Sequence, residues 1–178
     1  MFSIARQAVP DDALLKTYQG GTRPELWGAY GDCFEVSVDR AVSLADYVFA
    51  FYTSPVFRIE RMILRVLLMA PSTDGQAHAV AHGAGASFAV WYVGKRTATQ
   101  LLMCDRYERT RSWFRAVPLD GGRTLLQFGS AVAATSAGRT VARSTSRGSG
   151  LLLRFHVLYS QMLLHSAKVG VEKAVSAR

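Results

Sequence analysis

The stretch that decides the fold runs Thr110-Arg111-Ser112-Trp113-Phe114-Arg115-Ala116-Val117-Pro118, turns through Asp120-Gly121-Gly122, and returns as Arg123-Thr124-Leu125-Leu126-Gln127-Phe128-Gly129-Ser130-Ala131-Val132-Ala133-Ala134. Both runs are β-patterned, and Asp-Gly-Gly between them is a tight-turn signal. Strands joined by so short a connection pair antiparallel. Upstream, Phe88-Ala89-Val90-Trp91-Tyr92-Val93 reads as one strand and Ala98 to Asp105 as another. An antiparallel meander is therefore expected from Ser87 onward.

Helical signals flank the meander. Asp32-Cys33-Phe34-Glu35-Val36-Ser37-Val38 alternates as a first strand. Ser43-Leu44-Ala45-Asp46 has the form of a capping box and opens a short aromatic helix through Tyr47, Phe49, Phe51 and Tyr52. Ser54 then caps a second helix with Pro55 at its first position, ending near Met69. On it Arg58, Arg61 and Arg65 form one solvent stripe. Gln76 to Ala86 reads as a short helix or a loop, and the first thirty residues as an arm laid over the body. Ser136 to Gly150 is Ser/Thr/Gly-rich and carries Arg139, Arg143 and Arg147. Leu151 to about Lys173 follows as a long helix. Its wheel gathers Leu151, Phe155, Leu158, Tyr159, Met162, Ser166 and Val169 on one face, expected to lie on something apolar.

The chain has 178 residues, 49% hydrophobic and 19% charged, which excludes a disordered protein. A single domain (arm 1–30, body 31–178) of this length buries roughly 70% of its unfolded surface. The net charge of +8 leaves nucleic acid, anionic surfaces and acidic ligands open as partners. Cys33 and Cys104 form no disulfide framework and read as small buried hydrophobes. The amino terminus lacks a basic segment leading into an apolar stretch, and no segment reaches the roughly 18 to 20 clean apolar residues of a membrane span. A cytoplasmic chain without a transmembrane segment is expected.

One strand, two helices, an antiparallel run and a closing amphipathic helix make an α+β chain whose sheet needs one face covered. This order resembles the helix-grip fold of the START and Bet v 1-like superfamily, which includes polyketide cyclase/dehydratase-like members. There a curved antiparallel sheet wraps around a long C-terminal helix and leaves a cavity between them. More narrowly, Ala50-Phe51-Tyr52-Thr53-Ser54-Pro55-Val56-Phe57-Arg58, Ser112-Trp113-Phe114 and Phe128-Gly129-Ser130-Ala131-Val132 look like a bacterial group within it. The resemblance implies binding of a hydrophobic or aromatic small molecule, lipid- or polyketide-like. It carries no universal catalytic motif, so no residue role comes with it.

Phosphate-binding, dinucleotide, His-Glu-x-x-His and nucleophile-elbow motifs are all missing. His78 and His82 stand four apart without a carboxylate or cysteine nearby, so neither a metal nor a cofactor is expected. His156, near Tyr159 on the closing helix, is either hydrogen-bonded at the sheet–helix seam or turned into a cavity, where the pair would do acid–base work. Trp91, Trp113, Phe128 and Phe155 are candidate cavity walls. Arg111 and Arg115 flank Trp113 on one strand face, either as an anion-binding rim or as arginines snorkelling over an outer tryptophan.

Three functions follow. The first is binding of an apolar small molecule between sheet and closing helix. The second is a cyclase or dehydratase with His156 and Tyr159 as acid and base. The third is weak, sequence-blind binding of nucleic acid or another anionic surface through Arg58, Arg61, Arg65 and the 139–147 loop, with no specific nucleic-acid partner expected because stacking platforms are absent there.

Overall fold

The computed structural model describes residues 4–21, 27, 30–67, 69, 71–133 and 150–173, and of residues 30, 67 and 150–156 the backbone only. In chain order the elements are β1 (Ala5–Gln7), α1 (Leu14–Thr17), β2 (Tyr30–Val38), α2 (Leu44–Tyr52), α3 (Pro55–Leu67), α4 (Asp74–Ala81), β3 (Ser87–Phe88), β4 (Trp91–Arg96), β5 (Gln100–Asp105), β6 (Thr110–Leu119), β7 (Arg123–Val132) and α5 (Gly150–Lys173). The seven strands form one antiparallel sheet in the order β1-β2-β7-β6-β5-β4-β3. The meander from β4 to β7 is thus present, and the Asp120–Gly122 turn places Leu119 opposite Arg123 and Thr110 opposite Val132. Gly121 and Gly122 both take positive φ, 73° and 71°, which glycine adopts without strain.

One expected strand is two. Phe88 to Val93 reverses at Ala89-Val90, and Phe88 pairs back onto Trp91. Ala89 accommodates the reversal in the left-handed region, at φ 52°. Continuous apolar patterning hid a turn that lacks glycine or asparagine.

Helix boundaries follow local chemistry. The Ser43 hydroxyl accepts from the Asp46 N–H at 3.0 Å and donates to its carboxylate, and Ser54 accepts from the Phe57 N–H. Residues 74–81 are helical because Thr73 and Gln76 form a reciprocal capping box, a Thr-x-x-Gln signal that lies just upstream of the alanine-rich run.

The sheet is covered on both faces. On the inner face Phe34, Phe128 and Phe114 lie side by side across β2, β7 and β6. Above them α2 inserts Phe51, whose ring stands 4.9 Å from Phe128 and 4.8 Å from Phe114. The Tyr47 hydroxyl also donates to the Gln127 carbonyl on β7. On the outer face Cys33, Leu102, Cys104, Trp113 and Ala131 pack under Ala13, Leu14 and Leu15 of the arm. The arm continues as β1 on the edge of β2. Gln100 locks it down, since one side-chain oxygen accepts from both the Leu14 N–H (2.9 Å) and the Trp113 indole (2.8 Å).

The closing helix packs on a different face from the one expected. Its buried residues are Ser160, Leu163, Leu164, Ala167 and Val171, while Leu158 and Met162 are exposed. Close approach is the reason: a Cβ on Gly170 would stand 3.2 Å from the Cβ of Ala50 on α2. Small residues let α5 press onto α2, and Leu158 and Met162 turn outward.

Gly129 tests the tightness of the outer layer. A Cβ there would meet the Asp32 carbonyl oxygen at 2.9 Å, the Trp113 ring at 3.0 Å and Leu15 at 3.2 Å. Gly129→Ala is expected to lower stability by about 1–3 kcal/mol, the range for overpacking. A shift in the urea midpoint worth less than ~0.5 kcal/mol, ordinary for a surface site, would contradict this packing.

Candidate functional site

A cavity of about 200 Å³ lies at the seam of sheet, α3 and α5. Phe51, Tyr52, Phe57, Trp91, Phe114 and Phe128 make its aromatic walls, and Leu163 closes it from α5. Its polar lining includes Glu60, Thr110, Ser112, Ser130, Tyr159 and Ser160. Sheet register explains why the lining changes character. One row down from the phenylalanines, Asp32, Ser130 and Ser112 stand opposite one another across β2, β7 and β6. Ser130 donates from its hydroxyl to the Asp32 carboxylate at 2.7 Å.

The start of α3 at Pro55 sets Phe57 and Glu60 three residues apart, so both face inward. The Tyr159 hydroxyl donates to the Glu60 carboxylate, joining α5 to α3 across the cavity. Burial holds the Glu60 carboxyl above the usual glutamate range, although the Tyr159 hydrogen bond pulls the other way. Burial also raises the Tyr159 phenol, and the charge of Glu60 adds to it. The same two causes raise Tyr52. Glu60 thus sits within electrostatic reach of two phenols that stay protonated. A partly withdrawn carboxyl with a raised pKa is suited to binding or transferring a proton on a ligand oxygen.

Trp91, Phe128 and Tyr159 line this cavity. The side chains of Phe155 and His156 lie outside the described residues, and so does the expected His156–Tyr159 pairing; a described partner of Tyr159 is Glu60. Trp113 is placed elsewhere, fully buried on the outer face beneath the arm. Arg111 contributes to the cavity edge, but its guanidinium points to the outer face. There it donates to the Tyr18 and Gly20 carbonyls and lies 3.9 Å from the centre of the Trp27 ring. Arg115 grips Asp12 with two hydrogen bonds, at 3.0 and 2.9 Å. The arm, whose coverage a strand pattern does not reveal, occupies the place of the expected anion rim.

Glu60 was hidden in the sequence because it stands among Arg58, Arg61 and Arg65 and reads as part of a solvated charged face. Its spacing of three from Phe57 is the signal that separates it. Of those arginines, Arg58 and Arg61 both bind Asp74, and Arg61 also donates to Ser72. The 139–147 arginines lie outside the described residues. His78 and His82 stack at 4.0 Å on the surface of α4, and among the described residues no group of three metal-ligating side chains occurs. No described helix is long and apolar enough to cross a membrane.

Comparison of the chain with family models, with curated proteins and with solved structures gave no match.

Proposed function

We propose that this protein is a small-molecule-binding module of the helix-grip kind. Its ligand is a compact aromatic molecule carrying a hydroxyl or carbonyl group. The observation that carries this reading is the aromatic cavity with Glu60 and Tyr159 joined across it. About 150 Å³ of apolar cavity accommodates benzene, so about 200 Å³ suits a single substituted ring better than an extended lipid or polyketide. The element order, the antiparallel sheet and the closing helix support the START and Bet v 1-like reading of the fold.

The test is titration with phenol and benzaldehyde while following the three indole N–H resonances by NMR. Saturable movement of the Trp91 signal, with Trp113 unmoved, is expected. Ser112→Leu, which fills the cavity floor, is expected to abolish it. No saturable shift at millimolar ligand in a folded sample would sink the proposal.

The raised carboxyl of Glu60 gives an enzyme reading a specific footing, with Glu60 as an acid–base partner of Tyr159. In that reading Glu60→Gln keeps ligand binding and reduces turnover by roughly 10²-fold or more. The same variant has a consequence independent of any substrate. Because Glu60 holds its proton more tightly folded than unfolded, stability falls as pH rises from 4.5, the ordinary glutamate value, through the raised one. Glu60→Gln is expected to remove that fall. Superimposable profiles of unfolding free energy against pH for the two proteins would show that Glu60 titrates normally.

A further inference from the structure

α3 has an inner and an outer life. Its inner side gives Phe57 and Glu60 to the cavity, while Ile59, Met62, Ile63 and Val66 recur at helical spacing on the outside, 48–72% exposed. Val56 carries this stripe into a shallow groove shared with Leu158 and Met162 of α5, which are 55% and 48% exposed. The result is one apolar face across two helices. Along its flank run Arg58, Arg61 and Arg65, three cations against the single carboxylate of Asp74. Isolated exposed apolar residues need no explanation; a contiguous face edged with arginine does.

The geometry points to an anionic phospholipid surface as the occupant, with α3 lying in the headgroup plane and its aliphatic stripe turned into the acyl boundary. An apolar helix face bordered by basic residues is the pattern of helices that rest on membranes without crossing them. A deformable lipid surface can follow both the exposed stripe of α3 and the shallow groove beside α5. A second copy of the chain would bring two molecules of charge +8 together with their arginine rows at the seam. Anionic headgroups complement that charge instead of repelling it.

The purified chain, mixed with vesicles of phosphatidylcholine alone or with added phosphatidylglycerol, tests this by flotation. Binding to the mixed vesicles is expected, weakening as salt is raised. Met62→Glu and Arg65→Glu, each at an exposed site and checked for an unchanged circular dichroism spectrum, are expected to reduce it roughly tenfold or more. Lys95→Glu, the same charge change on the opposite side of the sheet, is expected to leave binding near wild type. Ser112→Leu should bind vesicles normally, so an empty cavity and a failed docking surface are distinguishable. Absence of binding at low salt, equal binding to both vesicle types, or a self-associated dimer dispersed by Met62→Glu would each overturn the inference.

Discussion

Replacing Phe51 with alanine is expected to destabilise the protein by about 3–5 kcal/mol, the range for truncating a core aromatic. Phe51 meets the rings of Tyr47, Tyr52, Phe57, Phe114 and Phe128, so it joins α2, α3 and the sheet at one point. It also borders the existing cavity, so the space left by its ring merges with a void already there. A site that cannot collapse loses the removed contacts outright, which places the cost high in the range. Urea unfolding would show a lower midpoint at unchanged slope. Phe51→Leu, which keeps most of the volume, should lose less than half as much. A cost below ~1 kcal/mol for the alanine variant would mean that Phe51 is not the keystone of the inner layer.

Arg111→Ala should cost about 3 kcal/mol or more, from the opposite face. Arg111 is 1% exposed, and its guanidinium bonds two carbonyls of the arm, at 3.1 and 2.7 Å, between the rings of Tyr18 and Trp27. Hydrogen bonds to a charged group contribute about 1.5–3 kcal/mol, and a desolvated cation–π contact about 2. These terms overlap and do not add. Arg111→Lys should recover little, because an ammonium reproduces neither the fork nor the stacking. A second readout follows from what the arm covers. Burial pushes the Cys33 thiol up to about 12 and raises Cys104 as well, so both resist thiol reagents. In Arg111→Ala both should react far faster under native conditions. Continued protection of both thiols would show that the arm stays down without Arg111.

Period-two patterning, the Asp120–Gly122 turn and the Ser43 and Ser54 caps made the α+β order and most strand limits legible, because each rests on local chemistry. The Ala89-Val90 reversal was hidden because an alanine, not a glycine, holds the left-handed conformation. The packing of α5 was misread because hydrophobicity ranks Leu158 and Met162 above Ala167 and Gly170. What decides the interface there is how near α2 can come. The site was half legible: Trp91, Phe128 and Tyr159 could be named from strand and helix position. Glu60 could not, since its role depends on α5 crossing over α3. Trp113 and Arg111 went to the other layer because which sheet face an arm will cover is a tertiary fact.

The strand order sets a timetable for synthesis. β2 has no sheet neighbour nearby in the chain except the short β1; its long partner is β7, with Val38 opposite Thr124 and Tyr30 opposite Val132. Emerging from a ribosome at about 5–20 residues per second, β2 therefore waits for roughly a hundred further residues before its ladder can close. During those seconds Phe34, Tyr47 and Phe51 have neither floor nor roof, and the edge of β2 is an open template for other chains. Pairing so distant in sequence also slows folding once synthesis ends. The chain is thus most vulnerable to aggregation while it is being made.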